Sequence, residues 1–192
     1  MQTLIVCLGN ERVCDDGIGA RVGRILQSLP LPSDVQVTVM ATLRFDLLDS
    51  LAEVGRLVVV DALAIGMGAE PGMCTVADVS ELPAAVASAD CVHRAVVSDV
   101  IDLARQVSCD GTLHNVTIAG VEGKRFLDAG SLFSDEVVAA VPRLVDLILL
   151  ATGSKVEVRA MVKDACRRFS APSSTVLRCW RYAELRADVT GL

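Results

Sequence analysis

Four apolar residues at positions 57–60, three of them valine, run without interruption into Asp61. Successive side chains of a strand point to opposite faces, so an unbroken apolar run predicts a strand that is buried on both faces. Sheets of that kind are parallel and need crossover helices to cover them. The carboxyl ends of such strands border the crevice where α/β folds bind their ligands. Asp61 is therefore a candidate functional residue.

Segments with strand and helix patterns alternate along the 192 residues. Strands are predicted at residues 3–8, 35–40, 57–60, 73–79 and 116–121, and helices at 17–29, 45–54, 95–107 and 134–150. The fourth strand follows the third too closely for a crossover helix, so we expect an antiparallel edge strand there. The fold class is predicted to be α/β, with a twisted, mostly parallel, five-stranded sheet.

Composition and charge exclude several classes of protein. Hydrophobic residues make up 52% of the chain, but no uncharged apolar run reaches 18 residues, so no transmembrane helix is predicted. The first residues lack the basic region of a signal peptide, and the seven cysteines form no Cys-x-x-Cys pair, so we expect a cytoplasmic protein with reduced thiols. A net charge of −6 argues against non-specific nucleic-acid binding.

Three polar residues are predicted to meet at one edge of the sheet. Asp16 follows the first strand, Asp61 follows the third, and His93 precedes a helix that must return to the opposite edge. Right-handed crossovers place the ends of these strands on the same edge. Two carboxylates and one imidazole leave open positions on a divalent metal. The sequence therefore predicts a metal site of Asp16, Asp61 and His93.

Each of these residues also has a structural interpretation. Asp16 could cap the helix that begins at Gly17, Asp61 could close a turn, and His93 could be a satisfied structural histidine. His114 precedes the last strand, which places it at the amino ends of the strands, so it is not predicted to be a ligand.

Three neighbours of the predicted site leave further alternatives open. Asp15 is expected to point away from Asp16, because two adjacent carboxylates do not easily both ionise without a cation or solvent. Cys14 and Cys91 each lie two residues before a predicted ligand and could bind a soft metal. Cys14 could also pair with His93 as a nucleophile. Buried, inert thiols are the alternative interpretation of both cysteines.

Taken in order along the chain, the motifs resemble those of a known family. They are Gly9-Asn10, Asp15-Asp16-Gly17, Gly19, Leu47-Leu48, Leu51, Val58-Val59-Val60-Asp61-Ala62, Gly66, Pro71-Gly72, His93 and Ile118-Ala119-Gly120-Val121-Glu122. Over residues 3 to 150 the chain resembles the maturation endopeptidases of [NiFe]-hydrogenases. The resemblance implies a three-layer α/β/α fold of the phosphorylase/hydrolase-like type, with helices on both faces of the sheet.

The resemblance also implies an activity and a client. The family removes a short C-terminal extension from a hydrogenase large-subunit precursor after nickel insertion, as a hydrolase with aspartic-type endopeptidase activity that activates its client. The family's metal-contacting and catalytic positions fall on Asp16, Asp61 and His93. The implied nickel arrives with the precursor rather than residing tightly in the enzyme. The first of these positions is glutamate in some members, and the shorter Asp16 reaches less far.

The sequence leaves the mechanism and some rival functions open. The metal could polarise the scissile carbonyl or activate a water, or a carboxylate could act as general base. The rivals are a related-fold protease with another precursor, a non-catalytic metal- or partner-binding module, and a dinucleotide-binding domain. The last would need Gly-x-Gly-x-x-Gly after the first strand, where this chain carries acidic residues.

Residues 1–153 are predicted to form the protease domain and residues 154–192 a partly helical C-terminal extension. After Gly153 basic residues are frequent, and the only Trp and Tyr occur there. The predicted partner is the precursor, bound by a monomer without nucleic acid or membrane insertion. Because loops carry recognition on rigid scaffolds, precursor specificity is expected from residues 11–14, 65–72, 90–94 and 122–131.

Overall fold

The computed structural model describes residues 2–42, 47–51, 53–64, 69–78, 113, 115–126, 128–130, 132–153 and 160–169. These ranges contain nine regular elements. They are β1 (Gln2–Leu8), α1 (Ile18–Gln27), β2 (Val35–Met40), α2 (Leu47–Leu51), β3 (Val54–Leu63), β4 (Cys74–Asp78), β5 (Asn115–Glu122), α3 (Asp135–Ala151) and α4 (Val162–Phe169). A 3-10 turn, Cys14–Gly17, lies between β1 and α1.

The five strands form one sheet in the order β2-β1-β3-β5-β4. All neighbours are parallel except β4, which pairs antiparallel with β5 at the edge. The predicted mostly parallel sheet and its antiparallel edge strand are therefore confirmed. Since β1, β3 and β5 are parallel neighbours, their carboxyl ends lie at one edge of the sheet, which we call the carboxyl edge.

Helices cover both faces of the sheet, as predicted. On one face, Val58 and Val60 of β3 belong to a core that is shared with α1, α3 and α4. The other face packs Leu57 and Val59 of the same strand against α2. This alternation explains the unbroken apolar run in the sequence, because each successive residue of β3 enters a different core.

Two predicted boundaries in the middle of the chain differ from the structure. Val54 was expected to be the last residue of a helix, but it begins β3, and α2 is only five residues long. Pairing of Val54 with Gln2 of β1 extends β3 backwards and overrides the helical pattern. The strand also continues past Asp61 to Leu63, so Asp61 lies within β3 and not at its end. The predicted helix at 95–107 and His114 fall outside the described residues.

Helix α1 approaches the sheet more closely than a side chain allows. A Cβ atom on Gly19 would lie 2.0 Å from the carbonyl oxygen of Leu8 and 2.7 Å from that of Val60. Only glycine fits there, because real Cβ contacts are not that short. The first turn of α1 is therefore seated directly on the carboxyl ends of β1 and β3.

Helix α4 lies in the segment predicted as a C-terminal extension, yet it packs against α1 and α3. Its Val162, Ala165 and Cys166 are buried in the same core as Val58 and Val60. These residues complete the apolar layer on that face of the sheet. The division of the chain after residue 153 stays a prediction.

The longest described helix, α3, spans 17 residues and carries Arg143 and Asp146 in its interior. Within the ranges that the structure describes, no helix is long and apolar enough to cross a membrane.

Candidate functional site

Asp61 lies near the carboxyl end of β3, opposite Gly120 of β5. Asp61 is only 9% exposed, and its Oδ1 accepts a hydrogen bond from the N–H of Ala62 at 2.8 Å. The charge of Asp61 acts on Cys7 of the neighbouring strand β1. Burial raises the pKa of the Cys7 thiol, and the Asp61 carboxylate raises that pKa further. Asp61 is thus an ionisable group held in a largely apolar setting, as functional carboxylates often are.

Asp16 lies in the 3-10 turn that follows β1. Its Oδ2 accepts the N–H of Asn10 at 2.9 Å, which closes the loop between strand and turn. The α1 N-cap position is occupied by Gly17, so the interpretation of Asp16 as a helix cap is wrong. The turn contacts β3, the strand that carries Asp61. The structure therefore brings the elements of Asp16 and Asp61 together at the carboxyl edge.

The loop before this turn folds back tightly because of Gly9. The φ angle of Gly9 is +143°, and a Cβ atom there would lie 2.2 Å from the carbonyl oxygen of Asp16. A residue with a side chain would push Asp16 out of its position. The glycine of the Gly-Asn motif is therefore a requirement of the Asp16 geometry.

His93 and Cys91 lie outside the described residues, so the structure does not place them relative to the two carboxylates. Among the residues that it does describe, no three His, Cys, Asp or Glu side chains form a group that could hold a metal ion. The assignment of Asp16, Asp61 and His93 as catalytic and metal-contacting residues stays a prediction.

Asp15 has a role that sequence reasoning did not find. Asp15 is 0% exposed. Its carboxylate accepts four hydrogen bonds from residues that lie more than 100 positions later in the sequence. The donors are the N–H groups of Lys124 and Arg125, both at 3.0 Å from Oδ2, and the N–H and hydroxyl of Ser134. As expected, Asp15 points away from the environment of Asp16. No local pattern reveals these partners, because they belong to the loop between β5 and α3.

Backbone bonds join the same two loops. Cys14 donates its N–H to the carbonyl of Gly130 at 2.8 Å, Gly130 donates to Arg12 at 2.8 Å, and Asp15 donates to Arg125 at 3.1 Å. Cys14 has a φ of +26°, which costs a non-glycine residue about 1–3 kcal/mol. Its thiol is buried, which favours the inert interpretation over a nucleophile.

Another buried carboxylate, that of Glu122, lies near the carboxyl edge. Glu122, at the end of β5, is buried, and it is two residues beyond Gly120, the pairing partner of Asp61. Alternation along β5 places Glu122 on the same face of the sheet as Gly120. Its backbone is fixed by the N–H of Gly72 and the carbonyl of Met73. From the sequence, Glu122 was noted only as the last residue of a family motif and was given no role.

Comparison with known proteins assigns the class. The family model described as "Hydrogenase maturation protease" (HycI) matches residues 21–151. The chain is 30% identical over 154 residues to a provisionally named hydrogenase maturation protease of Methanocaldococcus jannaschii, an alignment that covers 76% of this chain and 93% of that protein. The chain belongs to the hydrogenase maturation protease family. It is therefore a peptidase with an endopeptidase role in hydrogenase maturation.

Solved structures agree with this assignment. The hydrogenase maturating endopeptidase HybD from E. coli superposes with a TM-score of 0.70 at 23% identity and covers 80% of this chain and 93% of that one. The [NiFe] hydrogenase maturation protease HybD from Thermococcus kodakarensis gives 0.66 at 27% identity, with 81% and 100% covered. The three-layer fold predicted from the sequence is confirmed.

Proposed function

We propose that this protein removes the C-terminal extension of a [NiFe]-hydrogenase large-subunit precursor after nickel insertion, with the precursor's nickel as the recognition element. The observation that carries the proposal is the meeting of the Asp16 turn with the Asp61 strand at the carboxyl edge, in a chain of this family. The Thermococcus kodakarensis relative is named as a [NiFe] hydrogenase maturation protease, and this supports the choice of a [NiFe]-hydrogenase precursor as client.

The proposed metal contacts are Asp16, Asp61 and His93. Carboxylate oxygens and imidazole nitrogen are ligands that nickel accepts, and three protein ligands leave positions for groups of the precursor. In this proposal the nickel belongs to the substrate, so a precursor that lacks it presents nothing for these residues to contact. The metal, when bound, supplies Lewis acidity toward a carbonyl or a water.

The two described carboxylates are suited to different tasks. Asp61 is nine-tenths buried and tied to the backbone of Ala62, which suits a fixed ligand. Asp16 is half-buried on a turn that borders exposed loops, which suits a group that meets the incoming peptide. Of the two, Asp16 is the better placed to take a proton from an attacking water as general base, a role that it would have instead of contacting the metal.

The proposed docking surface surrounds Asp16. Residues 11–13 and 128–130 lie side by side through the bridge between Val13 and Gly130. Both loops contain exposed residues, and Leu132 is 60% exposed. A precursor that docks here would bring its C-terminal segment to the carboxyl edge of β1 and β3.

The test is intact-mass analysis of a large-subunit precursor after incubation with this protein, with and without nickel. We expect the wild-type protein to remove a C-terminal peptide from the nickel-loaded precursor only. Asp61→Asn keeps an oxygen for the Ala62 N–H, so the variant is expected to fold and yet lose about 100-fold or more in activity. His93→Ala is expected to be equally impaired.

Asp164→Asn is the matched control, because Asp164 is an exposed carboxylate on α4, outside the proposed docking surface, that pairs with Arg167 at 3.5 Å. It should cleave within about twofold of the wild type, since exposed ion pairs contribute little. Equal cleavage of nickel-free precursor would contradict the recognition role of nickel. Full activity of Asp61→Asn would contradict the site. Intact precursor throughout, when its cognate protease cuts it, would indicate another client.

A further inference from the structure

The two adjacent acids of the Asp15-Asp16 pair lie in opposite environments. Asp15 is fully enclosed, whereas Asp16 is half-buried at the carboxyl edge. A buried carboxylate is costly unless its oxygens are satisfied by hydrogen bonds. The Asp15 oxygens are satisfied: Oδ1 accepts the Ser134 N–H at 2.6 Å, and Oδ2 accepts three further donors at 3.0 Å.

No cationic side chain supplies these four bonds; three come from backbone N–H groups and one from a hydroxyl. Ser134 is the N-cap residue of α3, so the negative charge also lies at the positive end of a 17-residue helix dipole. The arrangement fixes the Asp15 carboxylate in one orientation. It also joins the turn, the loop after β5 and the start of α3 into one hydrogen-bonded unit.

Asp16 is tied to this unit by the short turn that both acids share. Asp16 donates its N–H to Val13, and Val13 donates to Asn10, both at 2.9 Å. The Asp16 carboxylate returns to the Asn10 N–H. With every residue from 10 to 16 spanned by these bonds, a displacement of Asp15 moves the backbone that carries Asp16.

We propose that Asp15 is a positioning residue for Asp16. It holds the turn against Lys124, Arg125 and Ser134, so that the Asp16 carboxylate is fixed at the carboxyl edge before the precursor arrives. With its four acceptor bonds made to the protein itself, Asp15 is not a metal ligand. What Asp16 does to the precursor rests on the proposed function, whereas the fixing of its position does not.

The first test is amide hydrogen exchange by NMR in Asp15→Asn. An asparagine amide turns an NH₂ group toward at least one of the backbone donors, so the clamp loosens. We expect the Asn10 amide to exchange about tenfold faster, the effect of losing one buried hydrogen bond. Val162→Ala in α4 is the control, because it lowers stability at a distance from the turn. Beyond the increase that follows from its lower global stability, this variant should leave the exchange rate of the Asn10 amide unchanged.

Ser134→Ala provides a milder variant should Asp15→Asn fail to fold. It removes only the hydroxyl donor and keeps the Ser134 N–H. We expect Asn10 exchange to rise about two- to fivefold, since one of four bonds is lost. Unchanged exchange at Asn10 in folded Asp15→Asn, or in Ser134→Ala, would overturn the positioning role and leave Asp15 as an anchor of α3 only.

The second test is the precursor cleavage assay. Asp15→Asn should lower kcat about tenfold or more, because misplacing a reacting group slows the step, and loosening of the docking loops should raise KM by a smaller factor. A changed KM with unchanged kcat would contradict the proposal. If the wild type cleaves no precursor, the proposed function fails, while the exchange result at Asn10 still decides the positioning role.

Discussion

Ser134 donates both its backbone N–H, at 2.6 Å, and its hydroxyl, at 3.0 Å, to the carboxylate of Asp15, a residue 119 positions earlier in the chain. Two atoms of one residue thus bind two oxygens of another. Such paired bonds fix orientation as well as distance. The first turn of α3 and the turn before α1 are therefore held in a single relative arrangement.

The hydroxyl of Ser134 makes a measurable contribution to stability. We expect Ser134→Ala to lower the free energy of unfolding by about 1–2 kcal/mol, because it removes a buried bond to a charged acceptor. Urea unfolding monitored by circular dichroism measures the change. Ser134→Thr keeps the hydroxyl and should recover most of the loss. Equal stability of wild type and Ser134→Ala would show that this hydrogen bond makes no net contribution to the free energy of unfolding.

The close contact at Gly19 predicts a large effect from one methyl group. Gly19→Ala places a Cβ atom against two carbonyl oxygens, so α1 must move away from β1 and β3. Overpacking of this kind costs about 1–3 kcal/mol. Thermal unfolding measures the loss, and the shifted turn should also lower precursor cleavage.

Gly153→Ala is the matched control for Gly19→Ala. Gly153 has a φ of +71° but no atom within 4 Å of its Cβ position, so the substitution brings backbone strain without collision. We expect about 1 kcal/mol of destabilisation and unchanged cleavage. A smaller effect at position 19 than at position 153 would contradict the close packing of α1.

Helix α4 is predicted to be part of the folded core. Ala165 is fully buried between α4 and the helices beneath it, so Ala165→Asp buries an unpaired charge and should lower stability by several kcal/mol. Lys163 is exposed on the same helix, and Lys163→Asp should change stability by about 0.5 kcal/mol or less. Chemical unfolding of both variants is the measurement. Similar small effects would mean that α4 is dispensable.

Burial of Cys7 predicts sensitivity to alkali. Burial, and secondarily the Asp61 charge, raises the pKa of Cys7 far above its ordinary value of 9.0. Above pH 9 the unfolded chain loses this proton while the folded chain keeps it, so rising pH favours unfolding. Full stability is present below pH 9, and about 1.4 kcal/mol is lost per pH unit above it for each such thiol.

Urea unfolding from pH 8 to pH 11 under reducing conditions measures this slope. Cys7→Ala should make the slope shallower, although it also lowers stability at pH 8 by removing a buried sulfur. Burial raises the pKa of Cys166 to about 12, so Cys166→Ala should reduce the slope in the same way. A slope that neither substitution changes would contradict the assignment.

The sheet could be predicted because its information is local. The β-branched run ending at Asp61 identified a strand buried on both faces, and the short spacing before residue 74 identified the antiparallel edge. Strand pairing is not local, and it placed Val54 in β3 although the local pattern predicted a helix there. Packing against α1 and α3 likewise gave α4 a place that its own sequence does not specify.

The candidate site was predictable in position and not in detail. The order of strands and turns placed Asp16 and Asp61 at one edge, and the structure agrees on that placement. The division of labour between Asp15 and Asp16 was not predictable, because it depends on Lys124, Arg125 and Ser134. His93 remains a prediction from sequence alone.

The strand order has a consequence for how the chain assembles. Strand β4 is made before β5, but its partner in the sheet is β5, which also pairs with β3. Until residue 122 has been synthesised, β3 and β4 both present unpaired edges, the kind of surface on which chains aggregate. Insertion of β5 pairs with both strands, so these two edges are covered in one late step. A chain stalled before β5 would be the form most in need of a chaperone.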